Sequence, residues 1–485
     1  SSSAVNTTTC NGQAYTYHEL AGYGYTASNS RDNYGDTAGG IGSSAAIEKG
    51  SWSYNGSSYT GTLWALPDRG WNTEGTLNYN PRVHKYSIVF TPQPNATVDD
   101  PASPNLQLTY LDSILFSDPN SVPCTGLDAD ATGHVSYPGF PDMPVATYKG
   151  DGFGGAGTGG ERVPVDSEGL VLNDDGSFWV SDEYGPYVYK FSSTGVMLAA
   201  IRPPNAFIPR RNDSDSFSAD SPPIYNQDYE VDPSDPDSGR QNNQGFEGLT
   251  ASPDGENLYF LIQSALEQEG GAKKSTRRYA RLVHYNITSS TQTYAAEYVV
   301  PLPLYTDADD DTRVAAQSEI HYLSPTQFLV LAHDNNVGAG QDDTESVYRH
   351  ADIFDISSAT NVADQDSDAD DYDGKIASKK GNLHDDITPA EYCSFLDYNV
   401  NSQLERFGVH NGGDQDSGLL NEKWESLALA EVNPGEGDGE YFLFSLSDND
   451  FITQDGYMDG GNFTYADESG YDLLNQVLVF RVTLP

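Results

Sequence analysis

The sequence predicts an all-β chain folded as a single β-propeller of five blades, and three observations support that. The first is a repeat. Four segments open an apolar strand on a glutamate: Asp166-Ser-Glu168-Gly-Leu, Gly245-Phe-Glu247-Gly-Leu, Gln317-Ser-Glu319-Ile and Lys423-Trp-Glu425-Ser-Leu. Each is followed by a β-rich run ending in a polar cluster: Val180-Ser-Asp182-Glu183, Leu261-Ile-Gln263, Leu331-Ala-His333-Asp334 and Leu446-Ser-Asp448-Asn-Asp450. The second is composition. A chain of 485 residues with Gly 47, Pro 27, Tyr 32 and Met 3 has many turns and few long helical patterns. The third is the supply of strand-like runs, such as Lys85-Tyr-Ser-Ile-Val-Phe90, Phe328-Leu-Val-Leu-Ala332 and Val477-Leu-Val-Phe480. A strand that begins and ends on a carboxylate at every repeat is hard to explain by packing. It fits blades arranged radially, with inner strands aiming carboxylates at one axis.

A divergent fifth copy opens the chain order. Gly40-Ile-Gly-Ser43-Ser44-Ala-Ala-Ile47 has the register of a blade opening, with Ser43 or Ser44 where the others carry glutamate. Thr62-Leu-Trp-Ala-Leu-Pro-Asp68-Arg69 follows, so Asp68 takes the place of Asp182, Asp334 and Asp448. Closure is expected between an N-terminal strand at 14–19 and a C-terminal strand at 476–484, because a closed ring leaves no sheet edge exposed. The whole chain, 1–485, is then one domain. Spacing places long insertions at about 100–160 and 364–422, and a blade hidden in either would make the count six. The Gly150–Gly160 run lacks the Lys-Ser/Thr ending of a phosphate loop and reads as a rim loop. Asp364–Asp371 alternates like a calcium loop but has Lys375 at the twelfth place, so it fails as an EF-hand.

Like charges converging on an axis repel, so the ring needs a cation. Oxygen donors from separate blades suit a hard one, with Ca²⁺ the first choice, held by Glu168, Glu247, Glu319 and Glu425 with Ser43 or Ser44. The net charge of −47 argues against duplex nucleic acid and anionic membranes as partners. No stretch approaches the ~20 apolar residues of a membrane helix. Sequons at Asn6, Asn55, Asn95, Asn212, Asn286 and Asn462, with a start at Ser1, read as a mature secreted glycoprotein, expected to be monomeric. Of the three cysteines, Cys10 and Cys393 are the expected disulfide, because the N-terminal strand should close the ring beside the last blade, and Cys124 is left free.

The segments Leu66-Pro-Asp-Arg-Gly-Trp-Asn72, Trp179-Val-Ser-Asp-Glu-Tyr-Gly-Pro186 and Asn421-Glu-Lys-Trp-Glu-Ser-Leu427, with the blade openings, resemble the phytase-like family, "esterase-like activity of phytase". The resemblance runs from about Gly39 to the C-terminus. Ser445-Leu-Ser-Asp-Asn-Asp-Phe-Ile-Thr-Gln454 resembles its secreted fungal branch. The glutamate ring is also similar, over the blade openings alone, to calcium-activated nucleotidases, five-bladed propellers with an axial calcium. These resemblances imply hydrolysis of phosphoesters.

The residues fit such chemistry, which needs positive charge on the phosphoryl oxygens and an activated water. Asp68, Arg69, Asp182, Glu183, His333, Asp334, Asp448 and Asp450 are the catalytic candidates at the propeller mouth, with Arg82, His84 and Tyr184 as substrate contacts. Glu183 and Tyr184 would orient water, with His333 the alternative base. Any single member has a bland reading, since a strand-end aspartate often caps a turn. No Gly-x-Ser-x-Gly, His-Glu-x-x-His or Cys-x-x-Cys offers another scheme. A lactonase or carboxylesterase on the same fold is the first alternative. The second is a non-catalytic carbohydrate or cell-wall binding propeller, for which Trp64, Trp71, Trp179 and Trp424 would form a stacking platform rather than core. The substrate is in either case an extracellular small molecule or polymer.

Overall fold

The computed structural model describes residues 3–364 and 368–485. It is all-β, with helix confined to short turns such as Asn401–Leu404. Three four-stranded antiparallel sheets follow one another along the chain, at 167–201, 246–301 and 316–397, each laid out in sequence order. A fourth array runs Ser44–Ile47, Tyr59–Leu66, Arg82–Phe90, Leu106–Leu115. The last array is assembled from both ends of the chain. Lys423–Trp424 and Ala428–Glu431 pair with Glu440–Asp448, which pairs with Asn475–Thr483, which pairs with Gln13–Thr26. Tyr17 opposite Val482, Leu20 opposite Phe480 and Tyr23 opposite Leu478 set the register of that closure. One parallel bridge, Gly24 to Leu106, joins the last two arrays into a single hydrogen-bonded sheet.

First strands of neighbouring arrays pack together at four junctions, and Gln327–His333 meets Lys423–Trp424. Ser44–Ile47 lies against Ser167–Leu172, which lies against Phe246–Ala251, which lies against Ala316–Tyr322. Ala428–Glu431 returns to Ser44–Ile47. This is a propeller-like arrangement, and glycine makes the close approach possible. A Cβ on Gly169 would sit 2.5 Å from the Leu249 Cβ, and one on Gly248 would sit 2.8 Å from Gln317 Oε1. The Glu-Gly-Leu motif therefore combines an axial carboxylate with the small residue that lets the next strand in.

Between arrays the core is aromatic. Phe246, Phe260, Tyr259 and Phe328 fill one interface, and Trp64, Phe116, Phe178 and Phe191 another. Trp71, Trp179 and Trp424 are at most 2% exposed and Trp64 is 5% exposed. They are core and form no stacking platform. Cys10 and Cys393 are bonded, and Cys124 is a buried free thiol. The disulfide does not join the closing array to itself. It ties the N-terminal hairpin to Glu391–Asp397, the outer strand of the preceding sheet.

Two predicted insertions contain framework. Leu106–Leu115 and Glu391–Asp397 are outer strands, displaced from their partners in sequence by intervening loops. Among the described residues, neither 116–160 nor 398–422 contains a four-stranded sheet. Of the Asp364–Asp371 stretch, residues 365–367 lie outside the described residues.

Candidate functional site

The carboxylates converge because of a repeated β-bulge. In the 167–201 sheet, Ser167 pairs with Asp182 and Gly169 with Ser181, leaving Glu168 as the extra residue. In the 246–301 sheet the extra residue is Glu247. A bulge twists its strand and re-aims one side chain, here toward the axis. In the 316–397 sheet, Gln317 pairs with Ala332 and Glu319 with Leu331, so the extra residue is Ser318. Glu319 is therefore one place out of register with Glu168 and Glu247. Its Oε2 accepts a 2.5 Å hydrogen bond from Ser44 Oγ, and its Oε1 accepts from the Leu249 and Ile320 N–H groups at 3.0 Å. Protein donors thus serve both Glu319 oxygens, and Ser44 is its serine partner. Ser43 Oγ is buried without a partner.

The same pairings align Glu183, Gln263, His333 and Asp448 at the ends of the second strands, one residue beyond Asp182, Ile262, Ala332 and Ser447. Asp182 consequently turns into the loop, where it accepts N–H bonds from Asp166, Tyr184 and Gly185. Asp334 does likewise, accepting from Ser346 Oγ and the Val347 N–H at 2.7 Å. Both carboxylates brace turns. Tyr184 donates to the Gly126 carbonyl at 2.6 Å. His333 is engaged on both sides, Nδ1 with the Asp334 carbonyl and Nε2 with Ser318 Oγ, and burial lowers its pKa to about 4.

The remaining carboxylates form one string. Ligand oxygens of Asp68, Asp448 and Asp450 lie within 4.8 Å of one another, as do those of Asp68, Asp166 and Glu168, and those of Glu168, Glu183 and Glu247. Two cations flank it. Lys423 Nζ is 2.7 Å from Asp450 Oδ1, and Arg69 Nε is 3.8 Å from Asp166 Oδ2. Arg69 also donates to Ser221 Oγ at 3.2 Å. Arg82 and His84 stand elsewhere, because their strand is third in its array and so removed from the axis. Arg82 is buried between Asp32 and Asp36 at 2.7 and 2.8 Å, locking the loop at 31–37. His84 Nδ1 bonds Ser113 Oγ at 2.6 Å.

Burial first, then neighbouring carboxylates, pushes the pKa values of Glu168, Glu247, Asp68 and Asp448 well above the carboxylate range. Glu425 is raised by burial and by Asp448. Asp166 is pushed up to about 8 by burial, against the pull of Arg69. Glu183 Oε1, Glu247 Oε2, Glu425 Oε2 and Asp166 Oδ1 are buried without an N–H or hydroxyl donor, and Glu183 and Glu247 have only neighbouring carboxyls to share a proton with. A buried charge without a partner is expensive, so such oxygens take up protons or a cation. The donor set fits a hard divalent ion: oxygen alone, from several strands, with lone pairs unspent. A cavity of about 1050 Å³ opens at the other end of the inner strands, beside Trp64, Trp179, Asp254, Glu319 and His321. It does not reach the mouth carboxylates.

Asp166 and Lys423 belong to this site although the sequence reading passed over them. The signal was positional, since both stand two residues before a bulged glutamate, where Gly245 stands in the 246–301 sheet.

The chain is 56% identical over 464 residues to an uncharacterized secreted protein of Arthroderma benhamiae, covering 93% of this chain and 90% of that one. Among solved structures, it aligns with an N-acetylgalactosamine deacetylase from F. plautii at 10% identity and TM-score 0.31, covering 96% of this chain and 95% of that one. It also aligns with the Dos1 propeller at 8% identity and TM-score 0.26, covering 95% and 94%. At these scores the structural likenesses carry nothing about chemistry. Residues 52–451 match the family described as phytase-like, "esterase-like activity of phytase". With that match spanning the mouth carboxylates from Asp68 to Asp450 and both flanking cations, the chain belongs to the phytase-like family.

Proposed function

We propose that the protein is a secreted, metal-dependent hydrolase of phosphoesters, working at the mouth of a single five-bladed propeller whose last blade is closed by the N-terminal strand. One observation carries this reading. Buried carboxylate oxygens without an N–H or hydroxyl donor, on Asp166, Glu183, Glu247 and Glu425, lie in a cluster flanked by Arg69 and Lys423. Structural carboxylates are normally satisfied by protein donors, as Asp182, Glu319 and Asp334 are here. A divalent ion, calcium by preference, would be held by Glu168, Glu183 and Glu247 with Glu425, and would supply positive charge against the phosphoryl oxygens and acidify a water.

The protein's own groups do the rest. Arg69, 13% exposed, holds an anionic substrate by charge-assisted hydrogen bonds. Lys423 and Asp450 form the lip, at 33% and 25% exposure. Glu183, as a member of the group that would hold the ion, would orient the attacking water. Export fits the secreted relative, the disulfide, which persists in oxidising compartments, and the absence of any helix long and apolar enough to cross a membrane among the described residues.

The test is a substrate screen of the purified protein, with and without calcium, across phosphomonoesters, phosphodiesters, nucleotides, lactones, carboxylic esters and cell-wall glycans. Calcium-dependent phosphate release that Arg69→Ala lowers about 100-fold, in a variant that melts as wild type does, is the expected result. Turnover confined to lactones or carboxylic esters would replace the substrate class, and retention on a glycan without turnover would replace the enzyme by a binding protein.

A further inference from the structure

The carboxylate string contains three overlapping groups able to hold a cation, of which the middle one, Asp68, Asp166 and Glu168, shares a member with each end group and faces Arg69. The inner one is Glu168, Glu183 and Glu247, and the outer one is Asp68, Asp448 and Asp450. The outer group differs from the inner in one respect: an ammonium already lies on it. Lys423 Nζ is 2.7 Å from Asp450 Oδ1 and 3.9 Å from Asp448 Oδ2. The lysine is fixed by its strand, since Lys423 pairs with Asp448 and its neighbour Trp424 is fully buried. Beside it, Glu425 is 7% exposed and keeps its Oε2 unpartnered.

We propose that the outer group is a second cation site whose resident cation is the side chain of Lys423, so that the protein takes up one divalent ion, at the inner group, and not two. The inference rests on the metal reading of the inner group given above. A divalent ion binds oxygens at 2.3–2.6 Å, which the ammonium at 2.7 Å from Asp450 prevents at the outer group without being displaced. The exchange is also unfavourable for the ion: the ammonium is tethered and pays no entropy of capture, whereas a free ion must shed water to enter. Removing the ammonium reverses this. Asp68, Asp448 and Asp450 are then close carboxylates with Arg69, acting on Asp68, as the remaining counter-charge, and such an excess of negative charge is the condition that recruits calcium. Lys423 is in this sense a positioning residue. It sets the charge at the lip to that of one fixed cation, where a second divalent ion would draw anions more strongly and bridge the substrate to the protein.

The experiment is an ion count. Wild type, Lys423→Met, Lys423→Arg and the double variant Lys423→Met/Asp450→Asn are equilibrated with calcium, passed through gel filtration in salt to shed ions on the acidic surface, and analysed by atomic emission. One ion per chain is expected in wild type and Lys423→Arg, two in Lys423→Met, and one again in the double variant, where an outer donor is lost. A count of one in Lys423→Met, or of two in wild type, overturns the inference and leaves the inner site intact. A count of zero in wild type overturns the metal reading itself. If Lys423→Met does not fold, Lys423→Gln takes its place, and the wild-type count alone still distinguishes one ion from two.

Discussion

At the scale of single residues, the mouth separates side chains that brace loops from those left with bonding capacity. Asp182 and Asp334 look like active-site acids in the sequence, yet each accepts hydrogen bonds from its own turn. Arg69 has no such closed set of partners, since its ion pair with Asp166 is long at 3.8 Å. Arg69→Ala is expected to lower kcat/KM for a phosphoester by about 100-fold, the scale of losing one charge-stabilising donor, with unfolding midpoint little changed. An equal loss of activity and of folded protein would mean that Arg69 is structural. His84 gives a pH prediction remote from the site. It is fully buried, with Nε2 unpartnered, and burial holds its pKa at about 4, below the 6.5 of an unfolded histidine. Between those values the unfolded chain binds the additional proton. His84 therefore contributes stability that is complete above pH 6.5 and lost as pH falls toward 4, with a slope of up to ~1.4 kcal/mol per pH unit. Urea titrations at pH 7 and pH 4.5 should show a smaller drop in His84→Gln than in wild type, and identical drops would refute the assignment.

At the scale of elements, the bulged first strands decide both packing and chemistry. Gly169→Ala places a Cβ 2.5 Å from both the Leu249 Cβ and Ser181 Oγ, so overpacking of about 1–3 kcal/mol is expected in a urea titration. A neutral result would show that adjacent inner strands can move apart. These strands also show how far the sequence could be read. Their existence was legible, because runs such as Phe328–Ala332 are apolar, short and bounded by turns. Glu168, Glu247 and Glu425 were legible as a set by repetition. The register of Glu319 was not, because a bulge adds one residue without leaving a compositional trace, and only the pairing shows that Ser318 is the residue added. Arg82 and His84 were misplaced for a related reason. Sequence shows that a residue begins a strand, but not how many strands separate it from the axis. Lys423 was overlooked although it lies within a motif, since a lysine beside glutamates reads as ordinary surface pairing.

At the scale of the whole molecule, first strands from several arrays bring their carboxylates together in one cluster. The protein carries a net charge of −47, and part of that lies buried at the mouth. If the mouth holds the divalent ion proposed for it, stripping that ion should destabilise the whole molecule, because first strands from several arrays carry the carboxylates. A fall of several degrees in Tm after verified chelation, restored by calcium and not by sodium at equal ionic strength, is the expected outcome. An unchanged Tm would leave the carboxylates to protons alone.

Closure has a further consequence, one that concerns breakage. The Cys10–Cys393 bond spans 383 residues of sequence, and four of the arrays lie within that span except for the end of Glu391–Asp397. The backbone there is thus a covalent loop as well as a spatial one. An extracellular protease that cuts any one exposed loop between the two cysteines severs a peptide bond but releases no fragment, since both new ends stay attached through the disulfide. The last array straddles the span: Gln13–Thr26 lies inside it, whereas its other strands, from Lys423 to Thr483, follow Cys393 and are the part that a single cut can detach from the covalent loop. Limited proteolysis should accordingly give nicked chains that run as one band without reductant and separate with it, unless the cut falls after Cys393.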